Sequence, residues 1–146
     1  MQKTLSAACL VCLFAIPFFV SSCKTISVYD DTTFVNTSTL KAQAVVLMDH
    51  ATENYSQYAD KVDAILIDAQ KLYAMQKARE KNQVTIAQWQ KLMAPDPVTK
   101  QSVLPGFFAL WKKKKTLQQD FIDDAKTQVS DAFDEILKLE GAKLKN

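Results

Sequence analysis

Ala44-Val45-Val46-Leu47-Met48-Asp49-His50-Ala51-Thr52-Glu53-Asn54-Tyr55-Ser56-Gln57-Tyr58-Ala59-Asp60-Lys61-Val62-Asp63-Ala64-Ile65-Leu66-Ile67-Asp68-Ala69-Gln70-Lys71-Leu72 is the stretch whose reading decides the fold. Ala44, Met48, Ala51, Tyr55, Tyr58, Val62, Ile65, Ala69 and Leu72 recur at alternating steps of four and three. That is a heptad seam, the period of a helix lying against a partner helix. Val45, Ala59, Leu66 and Tyr73 widen the apolar face beyond a two-stranded seam. Asp49, His50, Glu53, Gln57, Asp60, Asp63, Gln70 and Lys71 fall off it and are expected in water. No Gly or Pro interrupts residues 39–80, and Thr37, Ser38 or Thr39 could cap the start. The spacing predicts one rod of roughly 42 residues, about 63 Å long.

Downstream, Glu80-Lys81-Asn82-Gln83 is polar and either ends or bends the rod. Ile86, Trp89, Leu92 and Met93 predict a short amphipathic helix capped by Thr85, and Pro95-Asp96-Pro97 stops it. Pro105 suits the first position of a helix. Thr116-Leu117-Gln118-Gln119 suits a capping box that would start one later. From Leu117 onward Phe121, Ile122, Ala125, Val129, Ala132, Phe133, Ile136, Leu137 and Leu139 share one helical face, and Gly141 is a natural stop. The expected fold is therefore all-α: a long antiparallel helical hairpin with a short third helix, a coiled-coil-like bundle. A broad stripe that two helices leave partly uncovered calls for the short helix, a second copy or a binding partner.

The beginning of the chain has a different composition. Lys3 precedes an apolar run of 16 residues, Leu5 to Val20, which ends in Val20-Ser21-Ser22-Cys23. A spanning helix needs about 20 apolar residues, so this run is short, and its layout is that of a secretory signal. The ending resembles the lipobox of bacterial lipoproteins: an aliphatic residue, two small residues and a cysteine. The resemblance covers residues 1–23 and implies cleavage after Val20, Ser21 and Ser22, with a diacylglyceryl thioether on Cys23. Several acyl chains hold a protein on a bilayer where one binds only reversibly. Ordinary signal cleavage with release, or an uncleaved anchor, are the competing readings. The organisation that follows is a signal peptide over 1–22, a lipidated cysteine and extended tether over 23–38, a helical domain over 39–141 and a polar tail over 142–146. The implied location is the exported side of a cell-envelope membrane. Lys24 stands where many enterobacterial lipoproteins retained at the inner membrane have aspartate, which favours an outer membrane where one exists.

Composition restricts the chemistry. Cys9 and Cys12 lie inside the signal, so no cysteine follows Cys23 and the fold must rest on packing. Without Lys3 the chain has 17 basic and 16 acidic residues, which gives no field for nucleic acid. His50 is the only histidine, so a transition-metal site lacks its usual ligands, and no metal or other cofactor is expected. Asp120, Asp123, Asp124, Asp131, Asp134 and Glu135 recur on the last helix, but on its wet face, where paired carboxylates do no acid–base work. No nucleophile elbow or phosphate loop is present, and no catalytic residue is assigned.

One segment is a candidate contact site. Phe107, Phe108 and Trp111 lead into Lys112, Lys113, Lys114 and Lys115. Aromatics beside lysines suit an anionic surface. The competing reading has the aromatics plugging the hairpin tip with Trp89 while the lysines keep that end soluble. The expected function is that of a membrane-anchored envelope lipoprotein acting as a structural or interaction module. Its partners would be the bilayer through acylated Cys23, an envelope protein or cell-wall component, or a second copy. Capture of a small lipid or peptide is the alternative, favoured by a pocket lined with Tyr55, Tyr58 and Phe121.

Overall fold

The computed structural model describes residues 27–95 and 102–145. The described residues are helical, with no strand among them. They form five α-helices: α1 (Asp31–Asp49), α2 (Ala59–Ala78), α3 (Gln83–Met93), α4 (Leu104–Lys114) and α5 (Gln119–Ala142).

Eight of the nine seam residues are buried and Tyr58 is partly so, but the helix carrying the seam is not continuous. Ala44, Met48, Ala51, Tyr55, Val62, Ile65, Ala69 and Leu72 are all buried. Between them the expected rod breaks into 3₁₀ turns at His50–Thr52 and Tyr55–Gln57, and α2 folds back beside α1. Residues 43–50 share a groove with 61–68, and residues 36–43 share the next with 68–75, so the two helices are antiparallel. One local and one long-range device make the break. The Asn54 side chain accepts from the Ser56 amide at 3.1 Å and caps the second turn. The freed backbone groups are then met from far along the chain: the Tyr55 amide donates to the Lys115 carbonyl at 2.9 Å, and the Leu117 amide to the Ala51 carbonyl at 2.8 Å.

The first helix also begins earlier than expected, so residues 31–38, expected in the extended tether, are helical. Asp30 is the cap, not Thr37, Ser38 or Thr39. Its carboxylate accepts from the Thr32 amide at 3.1 Å and the Thr33 hydroxyl at 2.7 Å. The Thr-rich sequence disfavours helix on intrinsic grounds. Packing outweighs that, because Thr33, Thr37, Leu40, Ala44 and Leu47 form one buried stripe.

α5 runs antiparallel to α1, with Lys41 paired to Asp134 at 2.6 Å and Lys126 paired to Asp49. α3 packs against both α2 and α5, so α1, α2, α3 and α5 form an up-down-up-down bundle. Trp89 on α3 fills its centre between Tyr73 and Phe133, with ring centroids 6.4 and 6.3 Å away. The polar stretch 80–83 ends α2 rather than bending it, and Lys81 there adopts a left-handed φ of 57°. The segment after Pro105 resolves into two helices, α4 and α5, separated by Lys115 at φ 73°. Gln118, not Thr116, holds the cap position of α5.

The long hairpin with one short helix is thus replaced by a shorter, thicker bundle with α4 across one end, against α3 and the α1–α2 turn. The polar tail is corrected too. α5 continues through Ala142 into a 3₁₀ turn, and Lys143 is buried. Phe121, expected on the apolar face, is instead exposed, while its neighbour Ile122 is buried.

Candidate functional site

The bundle has two chemically different ends. The aromatic end comprises the α1–α2 turn, α4 and the start of α5. Here Trp111 lies edge-on to Tyr55 at 5.4 Å between centroids and 5.6 Å from Tyr58. Phe107 contacts Phe108 at 5.5 Å and stacks on Phe121 at 6.2 Å. Phe107, Phe108 and Trp111 are buried. The Trp111 indole Nε1 donates to the Glu53 carbonyl at 3.0 Å, so the ring is fixed by a polar as well as an apolar contact.

The segment 107–115 is therefore divided. Its aromatic members are core and plug this end, as the competing reading has it, though their partners are Tyr55, Tyr58 and Phe121 while Trp89 sits mid-bundle. Lys112, Lys113, Lys114 and Lys115 are exposed, and none of them is in an ion pair within 4.0 Å among the described residues. Lys112 places its ammonium 5.9 Å from the Tyr55 ring. What this end offers a partner is four lysines without an ion pair, beside exposed Glu53, Asp120 and Phe121, and not Phe107, Phe108 or Trp111.

Beside it, His50 stacks on Tyr58 at 4.7 Å. Its Nδ1 lies 2.8 Å from the Glu53 carboxylate and 3.0 Å from the Tyr58 hydroxyl. The Tyr58 hydroxyl donates to Glu53 at 2.7 Å. Contact with His50, then Tyr58, holds the Glu53 carboxyl below its ordinary range. Donation to Glu53 raises the Tyr58 phenol. The trio fastens the turn, and His50 also lines a groove between α1 and α2. Among the described residues no group of three or more His, Cys, Asp or Glu side chains could hold a metal ion.

The ionic end comprises the start of α1, the α2–α3 turn and the end of α5. Sequence reasoning gave no sign of it. Glu140 and Lys143 form a fully buried pair. Arg79 reaches Glu140 at 3.5 Å and Asp30 at 3.9 Å. Asn82 is saturated: its Oδ1 accepts from Ser27 at 2.9 Å and Lys143 at 2.8 Å, while its Nδ2 donates to the Gln76 carbonyl at 3.0 Å and side chain at 2.8 Å. Gln76 in turn donates to Thr33 at 3.3 Å, and Arg79 donates to the Val28 carbonyl. Burial pushes the Lys143 ammonium below its ordinary value, and Glu140 opposes that shift. Asp30 is held low, first by the Thr33 hydroxyl.

Two open grooves, of about 360 and 330 Å³, run along the outer seam of α1 and α2. The larger is lined by Val46, Leu47 and Ile65 together with Gln43, Lys61 and Asp68. Neither is lined by Tyr55, Tyr58 or Phe121. Cys23 and the cleavage residues Val20, Ser21 and Ser22 lie outside the described residues, as do Cys9 and Cys12. Among the described residues no helix is long and apolar enough to cross a membrane. Comparison of the chain with protein-family models, with curated proteins and with solved structures gives no match.

Proposed function

We propose that this protein is an exported lipoprotein held on a cell-envelope membrane by acylated Cys23. Its helical bundle serves as a structural or interaction module, and not as an enzyme. The observation that carries the reading is the apolar run ending in Val20-Ser21-Ser22-Cys23, which is followed by a helical domain that contains no further cysteine. The described core is filled, with Trp89, Trp111, Phe108 and Phe133 fully buried, which suits scaffolding and contact more than turnover. The exposed lysines at 112–115 give the contact its sign: an acidic envelope protein or an anionic cell-wall component. Replacing Cys23 with Ser is expected to abolish incorporation of labelled palmitate and leave unprocessed precursor. A cleaved product that stays on the membrane without label would reject the anchor.

Capture of a small lipid or peptide is the second reading, and the α1–α2 groove supports it. Val46→Asp would then abolish co-purification of such a ligand, whereas a protein that purifies empty speaks for the interaction module.

A further inference from the structure

Of the eight large apolar side chains most exposed among the described residues, three lie together at one end of the bundle, while Val46 and Ile67 lie on α1 and α2. Val28, Leu144 and Val84 are 80%, 65% and 55% exposed and all belong to the ionic end. Val28 gives its carbonyl to Arg79, Val84 follows Asn82 by two residues, and Leu144 follows Lys143 directly. Each is thus within two residues of the network that fixes this end. The side chains beneath them are held on all sides, so the three apolar groups are presented by a rigid base. Exposed Lys81 and Lys145 flank them, and exposed Asp31 and Glu80 offset that charge. The face is therefore apolar with mixed charge, whereas the opposite end shows the four lysines at 112–115 beside exposed Glu53 and Asp120.

The chain outside the described residues decides what meets this face. Ser27 is hydrogen-bonded to Asn82 at the centre of the ionic end. Cys23 precedes Ser27 by four residues. Four residues of chain span at most about 14 Å. An acyl chain on Cys23 cannot leave its bilayer, so the ionic end stays within that reach of the headgroups. The aromatic end is separated from it by the 24 residues of α5, about 36 Å of helix.

We propose that the ionic end is a membrane-contact surface. Val28, Val84 and Leu144 seat in the headgroup region beside the acyl anchor, and Lys81 and Lys145 lie against lipid phosphates. The bundle then stands upright, and Lys112–Lys115 point away from the membrane. This rests on the lipoprotein reading above.

The test uses the full-length acylated protein, whose mature chain has no free thiol once Cys23 is in thioether linkage. Single variants Leu144→Cys, Val84→Cys, Lys113→Cys and Val46→Cys are labelled with a small fluorophore. Each is reconstituted into phosphatidylcholine–phosphatidylglycerol vesicles with a nitroxide on the headgroup. Loss of fluorescence at 144 and 84, with none at 113 and 46, is the expected result. Loss at 46 would mean that the bundle lies on its α1–α2 face, and loss at none would leave the ionic end in water; either overturns the proposal. Palmitate labelling of the same samples separates the two readings. Unlabelled protein rejects the anchor, whereas labelled protein without quenching at 144 rejects only the contact surface.

Discussion

The ionic and aromatic ends perform one task with opposite chemistry. Each must hold several chain segments where a helical bundle leaves backbone groups and apolar edges uncovered. The aromatic end does so with large rings, Trp111 against Tyr55 and Tyr58 and Phe107 against Phe121, plus one indole hydrogen bond to Glu53. The ionic end uses a charged pair, Glu140 with Lys143, whose remaining polar atoms are met by Arg79 and Asn82. Burial of rings is favourable at any register that fills the space. A buried ion pair is tolerated only in one geometry, because each charge loses its water and a lost partner is not replaced. The first chemistry supplies cohesion and the second fixes how the helix ends meet.

That contrast can be broken most directly at the tryptophan. Trp111→Ala is expected to cost about 3–5 kcal/mol, read from the urea midpoint, since it empties a filled site. Glu140→Ala should follow at about 3 kcal/mol, because Lys143 and Arg79 lose their shared carboxylate. The double variant Glu140→Leu, Lys143→Met should recover most of that loss, and no such recovery is available at Trp111 by removing a neighbour. If Glu140→Ala leaves the midpoint unchanged, the ionic end contributes nothing to the fold.

Acid sharpens the comparison further. Thr33 and Arg79 favour ionised Asp30, so its carboxyl sits low in the fold. Its contribution is present at neutral pH and is lost as pH falls through that lowered value. Asp30→Ala should cost about 1 kcal/mol at neutral pH as a lost cap, and the cost should fade in acid. Glu53 at the aromatic end is held low too, but it is exposed to solvent, so Glu53→Gln should change the acid limb less. The smallest effects are expected at the two lysines in left-handed backbone, one at each end. Lys81→Gly and Lys115→Gly should each stabilise by up to about 1 kcal/mol in thermal unfolding, because glycine adopts those angles without strain.

The aromatic end was readable only in part: its members at 107–111 stand out as a cluster, but the sequence pairs them with Trp89 and not with Tyr55, Tyr58 and Phe121. Burial of the heptad seam, the all-helical class and the short helix around Trp89 followed from periodicity alone. The break at 50–58 did not. No Pro or Gly marks it, and 3₁₀ turns, at three residues per turn, keep nearly the same spacing of apolar positions. The backbone partners that stabilise it, the Lys115 carbonyl and the Leu117 amide, lie far along the chain from that stretch. The ionic end was illegible for the same reason: Asp30, Arg79, Asn82, Glu140 and Lys143 are scattered polar residues whose burial only the assembled bundle defines. Lys112–Lys115 were visible as charge, but the sequence left open whether the aromatics before them faced inward.

The bonds that clamp the α1–α2 turn set an order of events. Trp111 lies 58 positions downstream of the Glu53 carbonyl it binds. Synthesis delivers residues 50–58 well before residues 111–117. Until the later segment arrives, the turn lacks its long-range partners and the seam through it can continue as plain helix. Until then only the contacts among His50, Glu53, Asn54, Ser56 and Tyr58 hold the turn. A chain stopped short of Trp111 would keep α1, α2 and α3 but lack α5, and Tyr55 and Tyr58 would lose the ring that covers them.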